Sequence, residues 1–209
     1  MSIQTRRERE KQDMKTAILE AATKIIINEG YDKLSMRKLA DAIEYTPTTL
    51  YNYYEDKAQI IDAIMRKLNL EVICAVKAIL QENKSLPVNI QIGLAFKVFI
   101  NVMANNAEMG KAVMRSGTKA IFGSDEEPEQ SSSNGINLLH TILQEGQNQY
   151  VLRKLDENAS WMLISALLGF SMNAIENQLY LSDNWDSLVD TYIEILINGI
   201  MPINSINEV

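Results

Sequence analysis

The stretch from residue 46 to residue 57 is rich in side chains that form hydrogen bonds: hydroxyls, tyrosine phenols, an amide and a cation. A helix of this composition can offer donors to base edges in a DNA groove, while flanking groups contact phosphates. The chemistry is therefore hydrogen-bonded recognition rather than bond cleavage. The candidate set comprises these polar residues and the proline among them: Thr46, Pro47, Thr48, Thr49, Tyr51, Asn52, Tyr53 and Lys57.

Two short helices are needed to position these side chains. Ser35 is placed to cap the first helix, and Thr46 followed by Pro47 to open the second, since proline suits the first helical position. Between these signals, apolar residues recur every three or four positions, which gives each helix an inward stripe. Arg37 and Lys38 fall outside that stripe. The pattern indicates a helix-turn-helix; the inward residues are Met36, Leu39, Ala40, Ile43, Leu50 and Tyr54.

At these residues the chain resembles the tetracycline-repressor (TetR) family. The resemblance extends upstream through residues 18–22 (Ile-Leu-Glu-Ala-Ala) and 28–31 (Asn-Glu-Gly-Tyr), and downstream through Asp56-Lys57 to Ile60, Ile61 and Ile64. It is specific over about the first 65 residues and thinner beyond, at residues 145–147, 152–153 and 168–169. Members of this family are dimeric, all-helical transcription factors, usually repressors that a small molecule releases from DNA.

The resemblance implies roles for individual residues. Arg37 and Thr48 become the candidates for reading bases, with Thr49 and Tyr51 at the groove edge. The phosphate-facing set is Ser35, Thr46, Asn52, Tyr53 and Lys57, and Lys38 and Pro47 complete the predicted DNA-binding residues.

Alternatives to these roles stay open. Arg37 and Lys38 also fit an ordinary solvated helix face, Lys57 could merely neutralise Glu55 and Asp56, and the whole segment could be a helical hairpin that binds nothing.

One departure from the family concerns the turn between the two helices. The family commonly has glycine where this chain has Glu44, and a non-glycine residue at positive φ is strained. We therefore expect this turn to be drawn differently. Tyr45, Tyr53 and Tyr54 replace residues that are more often valine, histidine and phenylalanine.

The charge of the chain is unevenly distributed. The net charge is −7, which read over the whole chain argues against a nucleic-acid partner. Residues 1–83, however, hold 13 Lys/Arg against 13 Asp/Glu, whereas residues 84–209 hold 7 against 14. The acidic excess therefore lies outside the motif. Five cations between Arg6 and Lys15 lead into the first helix, either as a locally basic tip or as a disordered end.

Every periodic stretch reads as helix, and the fold class that follows is all-α. We expect a three-helix head over residues 1–56 and a helical bundle for effector binding and dimerisation over residues 57–209. A connecting helix should run from Lys57 to about Asn83, followed by helices to about Asn105, from Glu108 to Ile121, Asn137 to Asn148, Asn158 to Leu181 and Trp185 to Met201. The acidic, serine-rich stretch from Gly123 to Gly135 reads as a surface loop.

A predicted dimer interface lies in the last two helices. Between Trp161 and Met172 the chain is apolar nearly all the way round, so that helix should be covered on two sides. Ser165 and Gly169 share one face and would let another backbone approach closely. The alternative is a core helix of a compact monomer. The predicted interface residues are Trp161, Ser165, Leu168, Gly169, Met172, Leu188, Tyr192 and Ile195.

A mostly apolar effector is implied by the resemblance, since family members keep an apolar cavity between the connecting helix and the dimer pair. Methionine and phenylalanine at helical spacing are otherwise typical of plain core. The predicted lining residues are Leu68, Phe96, Phe99, Ile100, Met103, Met114, Leu139 and His140.

Other function classes find little support. The chain has no glycine-rich phosphate loop and no Gly-x-Ser-x-Gly motif, and its one histidine cannot form a histidine-rich metal site, so we predict no enzyme, cofactor or metal. A helical adaptor that binds protein through its tyrosines stays an alternative. We expect no membrane partner, and the charged N-terminus and single Cys74 fit the cytoplasm.

Overall fold

The computed structural model describes residues 3–116 and 132–202, and within these ranges every regular element is a helix. The prediction of an all-α fold is confirmed. The nine α-helices of these ranges are α1 (Ile3–Glu29), α2 (Met36–Ala42), α3 (Pro47–Tyr51), α4 (Lys57–Glu82), α5 (Val88–Asn105), α6 (Ala107–Ser116), α7 (Ser132–Asn148), α8 (Ala159–Glu176) and α9 (Trp185–Ile200). Two 3₁₀ turns cover Tyr31–Lys33 and Leu179–Leu181.

Some helix ends differ from the expected ones. The basic N-terminal segment is helical from Ile3, so α1 is 27 residues long. The helix expected to reach Leu181 ends at Glu176, because Gln178 takes a left-handed conformation with φ 56°. The expected loop ends early, since α7 begins at Ser132, and residues 117–131, with the rest of that loop and the expected end of α6, lie outside the described residues.

The chain divides into two compact units. The head unit comprises residues 3–68 and 107–116, and the body unit comprises residues 69–106 and 132–202. Helix α4 contributes its first turns to the head unit and its remainder to the body unit. Helix α6 belongs to the head unit although it lies far along the chain from the helix-turn-helix.

The core of the head unit forms from one apolar stripe per helix. Ile18, Ala22 and Ile26 of α1 are fully buried and lie four residues apart. Leu39 of α2, Leu50 of α3, and Ile60 and Ile61 of α4 are also buried, all at most 1% exposed. Each of the leucine and isoleucine side chains stabilises the fold by roughly 1.5–3 kcal/mol relative to exposure. The core therefore holds the helix-turn-helix in place.

The core of the body unit is built by α5, α7, α8 and α9. It comprises Val88, Ile92, Phe96, Ile100, Leu139, Ile142, Leu143, Leu152, Leu163, Leu167, Val189, Ile193 and Ile200. Helices α5 and α8 are long and apolar enough to cross a membrane by length and composition alone, with mean hydropathies of 1.3 and 1.2. Both contribute residues to this core, and 39% of α5 and 33% of α8 is buried.

Two local contacts fix the geometry of the body unit. A Cβ added to Gly146 of α7 would lie 2.6 Å from Leu152 Cδ1 and 2.8 Å from Val88 Cγ1, so only glycine lets these side chains approach. Arg153 donates from its backbone N to Ile200 O at 3.0 Å and from Nε to Gly199 O at 2.9 Å. Arg153 thereby satisfies carbonyls at the C-terminal end of α9 that lack partners within the helix.

Candidate nucleic-acid interface

The two capping residues lie where the sequence places them. The Ser35 hydroxyl accepts from Lys38 N at 3.2 Å, and the Thr46 hydroxyl accepts from Thr49 N at 3.3 Å. Thr46 Oγ1 also lies 3.0 Å from Thr49 Oγ1. Capping uses an oxygen lone pair, so the Ser35 hydroxyl keeps its proton for a phosphate acceptor.

The turn between α2 and α3 keeps a left-handed residue although that residue is not glycine. Glu44 has φ 60°, and Tyr45 N donates to Ala40 O at 2.9 Å to close the turn. The expectation that this turn would be drawn differently is wrong, because Glu44 adopts the left-handed conformation that glycine favours. Glu44 accepts a strain of about 1–2 kcal/mol.

Helix α3 separates an inner from an outer face. Leu50 is fully buried and Tyr54, three residues beyond the end of α3, is 8% exposed, whereas Tyr51 is 54% exposed. Thr48 and Asn52 are also exposed, and Thr49 and Tyr53 are half-buried. The outer face therefore presents a hydroxyl, a phenol and an amide, which together donate and accept hydrogen bonds.

The two cations of α2 differ in their surroundings. Arg37 is exposed, with no ion-pair partner among the described residues. The Lys38 ammonium pairs with the Glu29 carboxylate at the end of α1. Arg37 thus keeps its five donors for a partner such as guanine, which arginine contacts in a bidentate manner. Lys38 would have to break its ion pair with Glu29 before it could contact a phosphate.

Lys57 is held by the segment that follows α1. Its ammonium donates to Tyr31 O at 2.8 Å and lies 3.5 Å from the centroid of the Tyr31 ring. Burial lowers the pKa of Lys57, although Asp32 acts in the opposite direction. Lys57 must therefore leave Tyr31 before it contacts a phosphate. Nothing in the sequence points to this contact, since the two residues are 26 positions apart.

Asp56, the acid next to Lys57, caps α4. Asp56 Oδ1 accepts from Gln59 N at 2.8 Å, and Gln59 Oε1 accepts from Glu55 N at 2.9 Å. This reciprocal arrangement satisfies backbone donors at the start of the helix. Asp56 is thus a capping residue as well as a neighbour of Lys57.

The predicted dimer residues of α8 share one outer face. Leu163 and Leu167 point into the body core, whereas Trp161 is 43% exposed and Leu168 and Met172 are half-buried. Ser165 is half-buried, and a Cβ added at Gly169 meets nothing within 4 Å among the described residues.

In α9 the predicted residues flank the buried stripe. Ile195 is 63% exposed and Leu188 is half-buried. Tyr192 is partly engaged within the body unit, where its ring stacks on Phe170 with a centroid distance of 4.1 Å.

The predicted effector-lining residues do not form one set. Phe96, Ile100 and Leu139 belong to the body core, Phe99 packs against it, and Met103 is buried. His140 is exposed. Leu68 and Met114 belong to the head unit, where Leu68 is buried and Met114 is 37% exposed.

Comparison with known proteins places this interface in a family. The model of bacterial regulatory proteins of the tetR family matches residues 18–64, which span most of α1, the helix-turn-helix and the start of α4. The chain carries the DNA-binding domain of the TetR family over these residues. It is a DNA-binding transcriptional regulator and not an enzyme, because TetR-family regulators are non-enzymatic transcription factors.

Solved structures of bacterial regulators share the fold over nearly the whole chain. A TetR-family regulator from Haemophilus influenzae RD is 16% identical with a TM-score of 0.64, covering 92% of this chain and 99% of that one. A TetR-family regulator from Marinobacter aquaeolei VT8 is 18% identical with a TM-score of 0.64, covering 94% and 98%. The fatty acid degradation regulator FadR from Bacillus halodurans is 19% identical with a TM-score of 0.65, covering 88% and 95%. No curated protein matches the sequence.

Proposed function

We propose that this TetR-family regulator is a cytoplasmic, dimeric repressor that binds a palindromic operator and is released from it by a small, mostly apolar effector. The observation that carries the proposal is the outer face of α3, where exposed Thr48, Tyr51 and Asn52 follow a capped helix start on a well-packed head. Such a face fits the major groove, which admits one helix.

Roles within the interface follow from exposure and pairing. Arg37 and Thr48 read bases, because both are exposed and Arg37 makes no ion pair among the described residues. Tyr51 and Thr49 lie at the groove edge, and Ser35, Thr46, Asn52 and Tyr53 face phosphates. Lys38 and Lys57 join the phosphate-facing set only when they leave Glu29 and Tyr31.

Dimerisation through α8 and α9 is supported by the exposed apolar side chains on that face. Trp161 and Ile195 are too large and too exposed to be explained by the body core. Open space over Gly169 lets a second backbone approach. Two linked recognition helices read both halves of a palindrome, and the second half-site then binds at a high effective concentration.

An exchange of one exposed side chain tests the dimer. In Ile195→Glu, a carboxylate enters an apolar interface and must lose its hydration, so the dimer dissociation constant should rise by about a hundredfold or more. Leu181→Glu is the matched control, because Leu181 is 67% exposed and lies outside the predicted interface. Sedimentation equilibrium distinguishes the two. A wild-type chain that stays single at micromolar concentration rejects the dimer.

An apolar effector is supported by the composition of the body unit, where Phe96, Phe99 and Ile100 of α5 contribute to an interior of aliphatic and aromatic side chains. A similar fold is found in FadR, a regulator of fatty acid degradation, which makes acyl-chain compounds the first probes. Helix α4 is shared by both units, so a ligand that favours one position of α4 biases the head. Operator and effector must then weaken each other equally.

The DNA-binding function is tested by selection from random duplexes followed by affinity measurement. Arg37→Ala combined with Tyr51→Ala should lose the selected sequence while the dimer stays intact. The control combines Lys77→Ala with Tyr150→Ala, which removes one cation and one exposed tyrosine from the body unit. Equal affinity of both double variants and the wild type refutes the assigned roles.

Release by effector needs a separate measurement. Operator affinity is compared with and without an acyl-chain compound whose binding to the protein has been shown by calorimetry. A compound that binds but leaves operator affinity unchanged rejects the coupling.

A further inference from the structure

Toward the N-terminus of α1, the buried stripe of this helix continues as a row of cations. Counting back from Ile18 by three, four and four residues gives Lys15, Lys11 and Arg7, so all share the side of the helix that carries Ile18 and Ala22. Lys15 is half-buried, and Lys11 and Arg7 are exposed. We call Arg7, Lys11 and Lys15 the basic stripe.

The opposite side of the first turns of α1 carries both basic and acidic side chains. Arg6 lies there in an ion pair with Glu10 at 2.7 Å, and Arg9 and Asp13 lie nearby by helical register. Glu8 borders the basic stripe but makes no ion pair with a described residue. Positive charge without a paired acid is therefore concentrated on the side of α1 that carries Ile18 and Ala22.

The stripe starts beside the end of the recognition helix. Lys15 Nζ lies 5.9 Å from the centroid of the Tyr54 ring, and Tyr54 follows the end of α3 by three residues. At a rise of 1.5 Å per residue, Lys11 lies about 6 Å and Arg7 about 12 Å further along the axis of α1. The two exposed cations therefore extend beyond the helix-turn-helix.

We propose that Arg7 and Lys11 of the basic stripe contact the phosphate backbone of the bound duplex outside the base pairs read by α3. This inference rests on the proposed DNA-binding function and adds a second, sequence-independent contact to it. Charge complementarity identifies the phosphate backbone as the partner of the basic stripe, since a row of unpaired cations beside a recognition helix matches a row of phosphates. None of these residues is among those assigned to the helix-turn-helix contacts.

The stripe contributes through release of counterions. Each lost phosphate contact lowers the slope of log affinity against log salt by about 0.9, so Arg7→Ala with Lys11→Ala should lower it by about 2 per bound protomer. Affinity near 0.1 M salt should fall by about tenfold or more. Because phosphates carry no sequence information, the loss should be the same on the selected duplex and on a scrambled one.

The matched control is Arg6→Ala with Arg9→Ala. It removes the same formal charge from the same turns of α1, but from the other side. Circular dichroism verifies that both double variants stay folded, which is expected because all four residues are exposed and alanine favours helix. The control should keep the salt slope and most of the affinity.

A second arm varies the DNA instead of the protein. The selected sequence is embedded in flanks of about 15 base pairs or trimmed to the recognised bases. Wild-type affinity should fall on trimming, and the affinity of Arg7→Ala with Lys11→Ala should change little, because its flank contacts are already lost.

The outcomes are separable. If the wild type selects a duplex sequence but the two double variants weaken equally, or neither weakens, the stripe is refuted and the proposed function stands. If the stripe variant changes sedimentation and not DNA affinity, the stripe contacts a second copy and the inference is again refuted. If the wild type selects no duplex, the proposed function fails and the inference falls with it.

Discussion

The family resemblance and the structure assign different roles to Lys57. The resemblance makes it a phosphate ligand, whereas in the structure it stabilises the segment around Tyr31. As a phosphate ligand its ammonium should be free, but here it donates to Tyr31 O at 2.8 Å and covers the Tyr31 ring at 3.5 Å. We predict that Lys57→Met destabilises the head unit. Methionine keeps the apolar stem against the ring, so the substitution removes the charge and little packing.

The magnitude follows from the two lost contacts. A hydrogen bond from a charged donor contributes about 1.5–3 kcal/mol. A cation over a ring contributes about 0.5–2 kcal/mol, depending on its desolvation. Lys57 is half-buried, so the lower ends apply, and part is offset by the hydration that the ammonium gives up in the fold. The expected loss is about 1–2 kcal/mol of unfolding free energy.

The assay must report on the head unit alone. Both tryptophans of the chain, Trp161 and Trp185, lie in the body unit, so tryptophan fluorescence follows the body and circular dichroism follows both units. Amide hydrogen exchange of α1 and α2 isolates the head. Lys67→Met is the matched control, because Lys67 is exposed on the same helix. The structural role is refuted if the amides of α1 and α2 are equally protected from exchange in both variants while Lys57→Met alone weakens DNA binding. Lys57 is then a phosphate ligand.

Three further substitutions test other features. Gly146→Ala should lower the unfolding free energy by about 1–3 kcal/mol through overpacking, less the roughly 1 kcal/mol that alanine adds in a helix. Gly93→Ala, whose Cβ would meet its nearest neighbour at 3.6 Å, should instead stabilise in urea titrations, and the same sign for both refutes the contact. Glu44→Gly should raise the unfolding free energy by about 0.5 kcal/mol, because relief of the left-handed strain exceeds the entropy cost of glycine. Glu44→Ala is the control, because alanine keeps the strain. An equal rise of the unfolding free energy in both variants contradicts the explanation. Burial raises the pKa of Tyr54 above 10.0, with Arg66 acting in the opposite direction, so the head should lose stability as the pH rises through the unfolded and then the folded pKa. Tyr54→Phe should flatten that loss in denaturation at pH 9 to 12, and an unchanged pH dependence refutes it.

Local signals made the helix-turn-helix predictable from the sequence. Ser35, Thr46 and Pro47 act within one helical turn of their own position, and each lies where the sequence places it. Burial of Leu50 and exposure of Tyr51 follow from helical periodicity alone. These features depend on neighbours three or four residues away, which a single sequence displays.

Features that depend on distant partners escaped prediction. Gly146 is constrained by Val88, and Arg153 by the end of α9, contacts that no local pattern marks. The left-handed Gln178 interrupts an apolar run that by periodicity alone should continue as helix. Helix α7 begins at Ser132, inside a polar stretch that was predicted to be a loop because of its low hydrophobicity.

Glu44 combines both kinds of constraint. Its own preference disfavours φ 60°, but Tyr45 N must reach Ala40 O, and Leu50 must enter the head core, for α3 to present its outer face. Burial of Leu50 stabilises by roughly 2 kcal/mol, which offsets a strain of about 1–2 kcal/mol at one residue. The position of the recognition helix is therefore set by its buried side and not by the turn. For that reason we expect Glu44→Gly to change the stability of the head and to leave the direction of Thr48 and Tyr51 unaltered.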